Sequence, residues 1–484
     1  MSVTTISAKA PRGVVLALAV ALAGCTTAPQ LQQHASLPMP KPSQAEMAPA
    51  AQRENQRILG SYGGVYEDAR LQAMVEKLVA RLVAASERPD IKYKVIILNS
   101  PAINAFALPN GQLYVTRGLL ALANDEAELA SVLAHEMGHV IARHAQIRQE
   151  QVRDAELASR TLSEVVNDPQ MSALALAKSK IALANFSRAQ EFEADGIGVG
   201  ISARAGLDPY GASRMLADMQ HNVDLNSGGN GEHTVDFLSN HPSTPDRIRN
   251  VITDARQLAG PGIGERDHNQ YLADLDGVVY GEDPSEGYVR GRRFIHSKLG
   301  FTFLAPPGFT LDNTAQAVLG LKDGGAEALR LDVVSVPAEQ SLTGYLKSGW
   351  IEHVNRASLE EFTLNGFPAA TATATGNDWS FRLFVVRFGS DVYRFIYAAK
   401  HMTPKIDASF KQSIDTFRRM SLREAAEVKP SHLKIVSVGP NDTVATLARR
   451  MMVADHKAER FRVLNGLGPK DQVKPGSKVK IVVE

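Results

Sequence analysis

Apolar and polar positions divide the 484-residue chain into stretches of different period. Residues 13–22 (GVVLALAVAL) form an unbroken apolar run, long enough for the core of an export signal and too short to cross a bilayer. Over residues 56–257 the apolar positions recur mostly at helical spacing, with one β region inside. There, residues 91–98 (IKYKVIIL) alternate like a strand. Residues 105–108 and 112–116 flank Pro109-Asn110-Gly111, a hairpin signal. The repeat at 172–186 (SALALAKSKIALANF) reads as core packing rather than membrane contact, because Lys178 and Lys180 interrupt it. Strand-like alternation returns over 288–420, among helical stretches. From residue 433 the order is strand (LKIVSV), helix (DTVATLARRM), helix (AERFRVLNGL), strand (KVKIVV).

Composition adds punctuation to this pattern. Residues 26–55 are rich in Pro, Gln, Ala and Ser, as in a tether. Residues 258–287 carry many Gly and Asp and read as a linker, and 421–432 as a shorter one. The expected organisation is a signal at 1–24, a tether at 25–55, a mainly α domain with a small β-sheet at 56–257, an α+β domain at 288–420, and a βααβ module at 433–484. Lys and Arg number 53 against 52 Asp and Glu, a balance that argues against nucleic acid as a partner. With one cysteine, no intramolecular disulfide can form.

That cysteine closes the apolar run, in Leu22-Ala23-Gly24-Cys25, behind the positive Lys9 and Arg12. The stretch resembles the lipobox of bacterial lipoproteins, in which the cysteine is acylated; an ordinary secretory signal with an incidental Cys25 is the other reading. Thr26, rather than Asp, follows it. The resemblance then implies a lipid anchor in the outer membrane and a body in the periplasm.

The chemistry concentrates in one helix, ELASVLAHEMGHVIARH, opened by the capping groups of Asn124 and Asp125. His135 and His139 are four residues apart, so at about 100° per residue both imidazoles reach one ion. Glu136 stands beside that ion without binding it, placed to take a proton from water and return it to a leaving amine. The alternative is a solvated face carrying H-E-x-x-H by chance. Gly138, inside the helix, costs about 1 kcal/mol relative to Ala, which points to close approach of backbone or substrate. His144, five residues past His139, falls about 140° round a continuous helix and does not share the ion. Further along, SRAQEFEADGIG sets Glu191 and Asp195 on one helical face, with Glu193 pointing elsewhere. Glu191 is a candidate third ligand and Asp195 a candidate partner for a ligand histidine's second nitrogen; an exposed acidic helix has the same spacing.

HEMGH followed by EFEAD, with NAFALPNGQLYVTRGLL before them, resembles the zinc metallopeptidase family that includes the CAAX prenyl protease, the heat-shock protease HtpX and the periplasmic protease BepA. The likeness covers about residues 56–257 and lacks the membrane-spanning helices of the first two branches. It implies a zincin-like protease fold with one Zn²⁺ per subunit. His135, His139 and Glu191 would be the ligands, Glu136 the general base toward zinc-bound water, and Asp195 the supporting carboxylate. The family's H-P motif with an Arg six residues after the His maps onto His241 and Arg247 in SNHPSTPDRI. His241 is then an active-site group, or only part of a helix-start turn between Pro242 and Pro245. Arg247 stabilises an oxyanion or forms a structural ion pair. Gly228, Gly229 and Gly231 before this motif are hinge candidates that would let His241 close on the metal as a silencing fourth ligand.

The strand Gln112, Leu113, Tyr114 and Val115 is either an edge that pairs with an extended peptide substrate or an interior strand. The terminal module resembles a LysM module in VGPNDTVATLA, VLNGL and VKPGSKVKI, without the opening aromatic of many members. Peptidoglycan binding and a packing role both remain open. The 288–420 domain loosely resembles PsbP- or Mog-type sandwiches and implies no function. Two functions follow: a zinc endopeptidase for misfolded or unfolded periplasmic and outer-membrane proteins, or a chaperone or scaffold that holds such clients with weak or regulated proteolysis.

Overall fold

The computed structural model describes residues 44–166, 187–227, 237–314, 316–376 and 378–484. Cys25, the repeat at 172–186 and the three hinge glycines Gly228, Gly229 and Gly231 lie outside them. Residues Ala51–Glu484 form one compact unit.

The first part is helical around a small sheet. Its elements are α1 (Gln44–Ser61), α2 (Ala69–Ala85), β1 (Lys94–Leu98), β2 (Ala105–Ala107), β3 (Gln112–Thr116), α3 (Arg117–Leu122), α4 (Glu126–Ile141), α5 (His144–Val166), α6 (Arg188–Arg204), α7 (Gly211–Ser227), α8 (Phe237–Asn240), α9 (Pro245–Leu258) and α10 (His268–Leu275). Helix α1 already begins inside the stretch read as a tether. The hairpin forms across Pro109-Asn110-Gly111, where Gly111 takes φ +86° and Leu108 N–H donates to Gln112 O at 2.8 Å. In the three-stranded sheet, β3 lies between a parallel β1 and an antiparallel β2. Leu113, Tyr114 and Val115 are fully buried. The edge-strand role for Gln112, Leu113, Tyr114 and Val115 is therefore corrected: both ladder sides of β3 are taken, and the terminal strands of the sheet are β1 and β2.

The middle region is β-rich. Its strands are β4 (Val279–Tyr280), β5 (Tyr288–Arg290), β6 (Arg293–His296), β7 (Phe301–Leu304), β8 (Thr310–Asn313), β9 (Val318–Lys322), β10 (Glu327–Val334), β11 (Val354–Leu364), β12 (Phe367–Thr375), β13 (Ser380–Phe388), β14 (Asp391–Ala399) and β15 (Arg418–Arg419). An antiparallel seven-stranded sheet of order β11-β12-β13-β14-β10-β9-β8 stands beside a four-stranded sheet β15-β7-β6-β5. Helix α11 (Leu342–Leu346) covers one cluster, and α12 (Pro404–Ile414) another, through Phe410 and Ile414. An exposed helix α13 (Leu422–Glu427) leads on to β16 (Ser431–Ser437), α14 (Val444–Arg449), α15 (Lys457–Leu464) and β17 (Lys478–Val483), the βααβ order expected.

This terminal module shares its core with the helical domain. Leu433, Leu447, Phe461 and Ile481 belong to the same buried cluster as Leu78, Leu120 and Leu133. The stretch read as the 258–287 linker is part of this junction. Tyr271, Leu272 and Leu275 of α10 are buried, and Tyr271 donates to Leu120 O at 2.8 Å. Strand β4 pairs with β16. Deepest is Lys480, wholly buried, whose ammonium donates to the carbonyls of Ala121 (2.7 Å), Leu122 (3.1 Å) and Ala123 (2.8 Å). These carbonyls end α3 and have no partner of their own in the helix, so Lys480 caps it from the other end of the fold. Burial lowers the Lys480 pKa, and the carboxylates of Glu128, Asp218 and Asp125 oppose that.

Lys480→Met keeps the stem and removes the cap. Ala121 O and Ala123 O then lose this donor, Leu122 O keeps only Asn124 Nδ2 at 3.3 Å, and the acidic cluster is left with Arg214 and Arg266. Stability should fall by on the order of 3–5 kcal/mol. Urea unfolding measures it; an unchanged midpoint would show that the cap contributes nothing.

Candidate metal centre

Helix α4 starts firmly. Asp125 caps Glu128 N–H at 2.9 Å and is held by Arg266 at 2.6 Å, with Glu126 and Glu128 in the first turn. It runs buried to His139 and stops at Ile141, because Arg143 adopts φ +58°. Helix α6 starts with a capping box between Ser187 and Gln190, which puts Glu191 in its first turn. Helix α9 has Thr244 as its cap and Pro245 at its start, so the turn before it presents His241.

Two glycines bring α4 and α6 into backbone contact. A Cβ on Gly138 would lie 2.9 Å from Ala194 O, and one on Gly198 would lie 2.9 Å from His135 N. The cost of Gly138 thus relates to neighbouring backbone. At this approach His135, His139, Glu191 and His241 meet, all buried, with one ligand atom of each within 4.8 Å of the others. His135 Nε2 is 3.0 Å from His139 Nε2 and 3.3 Å from His241 Nδ1; Glu191 Oε1 is 3.0 Å from His241 Nδ1 and 3.6 Å from His139 Nε2. A tetrahedral ion with bonds of about 2.0–2.1 Å separates its donors by roughly 3.3 Å, so the donor set fits zinc.

The electrostatics agree. Burial lowers the pKa of His135 and of His139, where the neighbouring His135 adds to the effect, and takes His241 down to about 3. All three are then neutral at neutral pH, with lone pairs to offer. Burial also raises Glu191. For Asp195 burial pushes upward, but the hydrogen bonds from Arg247 and His135 win and bring it to about 2. Asp195 Oδ1 lies 2.9 Å from His135 Nδ1, the place foreseen for a supporting carboxylate.

Arg247, almost wholly buried, grips Asp195 at 2.7 and 2.8 Å, donates to His241 O at 3.0 Å, and lies 2.9 Å from Glu191 Oε2. Its guanidinium is occupied by protein groups, so the oxyanion role is corrected to an ion pair that fixes Asp195, Glu191 and the His241 backbone. Glu136 Oε1 is 3.6 Å from His241 Nε2. Burial, then the Glu191 charge, holds Glu136 well above the usual carboxylate range, against a hydrogen bond from the Ala107 backbone. Phe237, which carried no sequence signal, stacks on His241 with ring centres 4.5 Å apart. His144 and Glu193, set aside on helical geometry, are also in contact: His144 Nδ1 is 2.9 Å from His139 Nδ1, and its Nε2 is 3.3 Å from Glu193 Oε2. The break at Arg143 swings His144 back toward His139.

Glu136, His139 and His241 open on a cavity of about 700 Å³. Its other walls include β2 and, from the middle region, Glu282 and Asp312.

Three neutral imidazoles, one carboxylate and a protonatable carboxyl facing a cleft define a metallopeptidase site. Residues 67–254 match Peptidase family M48. Peptidases of that family are zinc-dependent. The chain is 34% identical over 181 residues to the mitochondrial metalloendopeptidase OMA1 of Schizosaccharomyces pombe, covering 37% of this chain and 51% of that one. It is 29% identical over 226 residues to the beta-barrel assembly-enhancing protease of Escherichia coli K12, covering 45% of each. The chain thus spans about half the length of the curated relatives it matches. A solution structure of cyanobacterial PsbP from Synechocystis is 15% identical, covering 29% of this chain and 98% of that one, at a TM-score of 0.23.

Gly198→Ala should push α6 off α4, since backbone atoms cannot yield as a side-chain tip does. The expected outcome is reduced zinc content of the purified protein and a lower melting temperature. Full zinc occupancy in this variant would show that the close approach does not set the site.

Proposed function

We propose that the chain is a zinc-dependent endopeptidase of the bacterial cell envelope that cleaves misfolded or unfolded proteins. The observation that carries this reading is the buried His135, His139, Glu191 and His241 set with Glu136 beside it on an open cleft. His135, His139, Glu191 and His241 would hold zinc, which would supply Lewis acidity to water and to a scissile carbonyl. The protein's own groups do the rest. Asp195 and Arg247 hold His135 in orientation. Glu136, with its raised proton affinity, accepts a proton from water and passes it to the leaving amine. The terminal strand β2 lines the cavity and, outside the Ala107 N–H held by Glu136, offers main-chain pairing to an extended segment, which suits unfolded substrates of varied sequence.

The similarity to the beta-barrel assembly-enhancing protease of Escherichia coli supports substrates in the envelope. The signal-like residues 1–24 and Cys25 support a periplasmic location with a lipid anchor in the outer membrane; among the described residues no helix is long and apolar enough to cross a membrane. Peptidoglycan contact through the terminal module rests on its LysM-like sequence alone. The position of His241 beside His135 and Glu191 favours regulated proteolysis: as a fourth protein donor it would take the place that catalytic zinc keeps open for water. A protein held in this state keeps clients rather than cutting them.

Glu136→Gln should retain zinc and lose unfolded-casein cleavage by roughly 10²–10⁴-fold; wild-type turnover in the purified variant would sink the mechanism. His241→Ala should raise basal cleavage. If His241 instead holds the substrate carbonyl, cleavage falls at unchanged zinc content, and one steady-state assay separates the two.

A further inference from the structure

Proton counting around His139 extends the site beyond its donors. A neutral imidazole carries one N–H. His139 Nε2 faces His135 Nε2 at 3.0 Å and Glu191 Oε1 at 3.6 Å, so on the metal-site reading it presents its lone pair there. Its proton is then on Nδ1, 2.9 Å from His144 Nδ1, which must accept. The proton of His144 is thereby placed on Nε2, 3.3 Å from Glu193 Oε2. His144 is buried, while the Glu193 side chain is 60% exposed. The result is one directed chain, His139 to His144 to Glu193, ending at the surface. His135 has the shorter equivalent, straight to Asp195.

We propose that His144 and Glu193 are positioning residues for His139. They fix its tautomer and ring plane and make it a stronger metal donor, as Asp195 does for His135. The inference rests on the metal-site reading and adds two residues to it. Outer partners of ligand histidines typically carry 10–100-fold in metal affinity.

The test is zinc affinity of the full chain by competition with a chromophoric chelator, alongside the melting temperature of the zinc-free protein. His144→Leu removes the acceptor and should weaken zinc binding by about 10–100-fold while the zinc-free melting temperature stays near that of the wild type. His144→Asn places an amide oxygen where Nδ1 stands and should recover much of that loss. Glu193→Gln, which keeps an acceptor at the exposed end, should cost only a few-fold, less than the 10-fold lower bound for such partners. Wild-type zinc affinity in His144→Leu overturns the inference, as does an Asn variant no better than Leu. A wild-type chain that takes up no zinc overturns the metal-site reading and the relay with it; cleavage assays are not needed to tell these apart.

Discussion

The site depends on how closely two helices approach. Gly138 on one and Gly198 on the other remove the side chains that would hold the backbones apart. Each glycine costs its own helix about 1 kcal/mol relative to alanine. In return, donors from positions 135, 139 and 191 lie within bonding reach of one centre. The desolvation that follows makes the histidines neutral and keeps Glu136 proton-hungry. The ion pairs of Arg247 with Asp195 and Glu191 are tolerated at this depth because every guanidinium nitrogen has a protein partner.

Much of this was legible in the sequence because the relevant spacings are local. Four residues on a helix bring His135 to His139 and Glu191 to the face of Asp195, whatever the rest of the chain does. Gly138 announced a close approach of backbone or substrate. Readings that depended on tertiary arrangement were less secure. Whether Gln112–Thr116 is an edge or an interior strand depends on which strands flank it, and alternation is the same in both cases. His144 was placed by extending α4 as a straight helix, but Arg143 breaks it in a left-handed conformation that arginine does not advertise. The 258–287 stretch looked like a linker through its Gly and Asp content, and the short apolar set Tyr271, Leu272 and Leu275 was too brief to outweigh it. Lys480 sits on the polar beat of KVKIVV and would be assigned to solvent, yet it is covered by another part of the chain.

The β-rich region is more than an appendage to the catalytic one. It contributes Glu282 and Asp312 to the cavity wall, so the cleft is shaped jointly by residues far apart in sequence. Cleft width, and therefore which segments can lie along β2, is set by how these regions pack. The M48 match alone, ending at residue 254, contains the chemistry but not the whole enclosure.

The contact of Lys480 with Ala121 spans 359 positions. During vectorial synthesis or export, the segment carrying the metal donors emerges long before the residue that closes its core. Until then α3 has open carbonyls and the shared apolar cluster faces water, so local helices can form while the domain cannot settle. Contacts of such sequence separation form late and slow folding. On the proposed reading as a protease for unfolded chains, this timing has a use: a partly made copy has no finished cleft with which to attack itself or its neighbours.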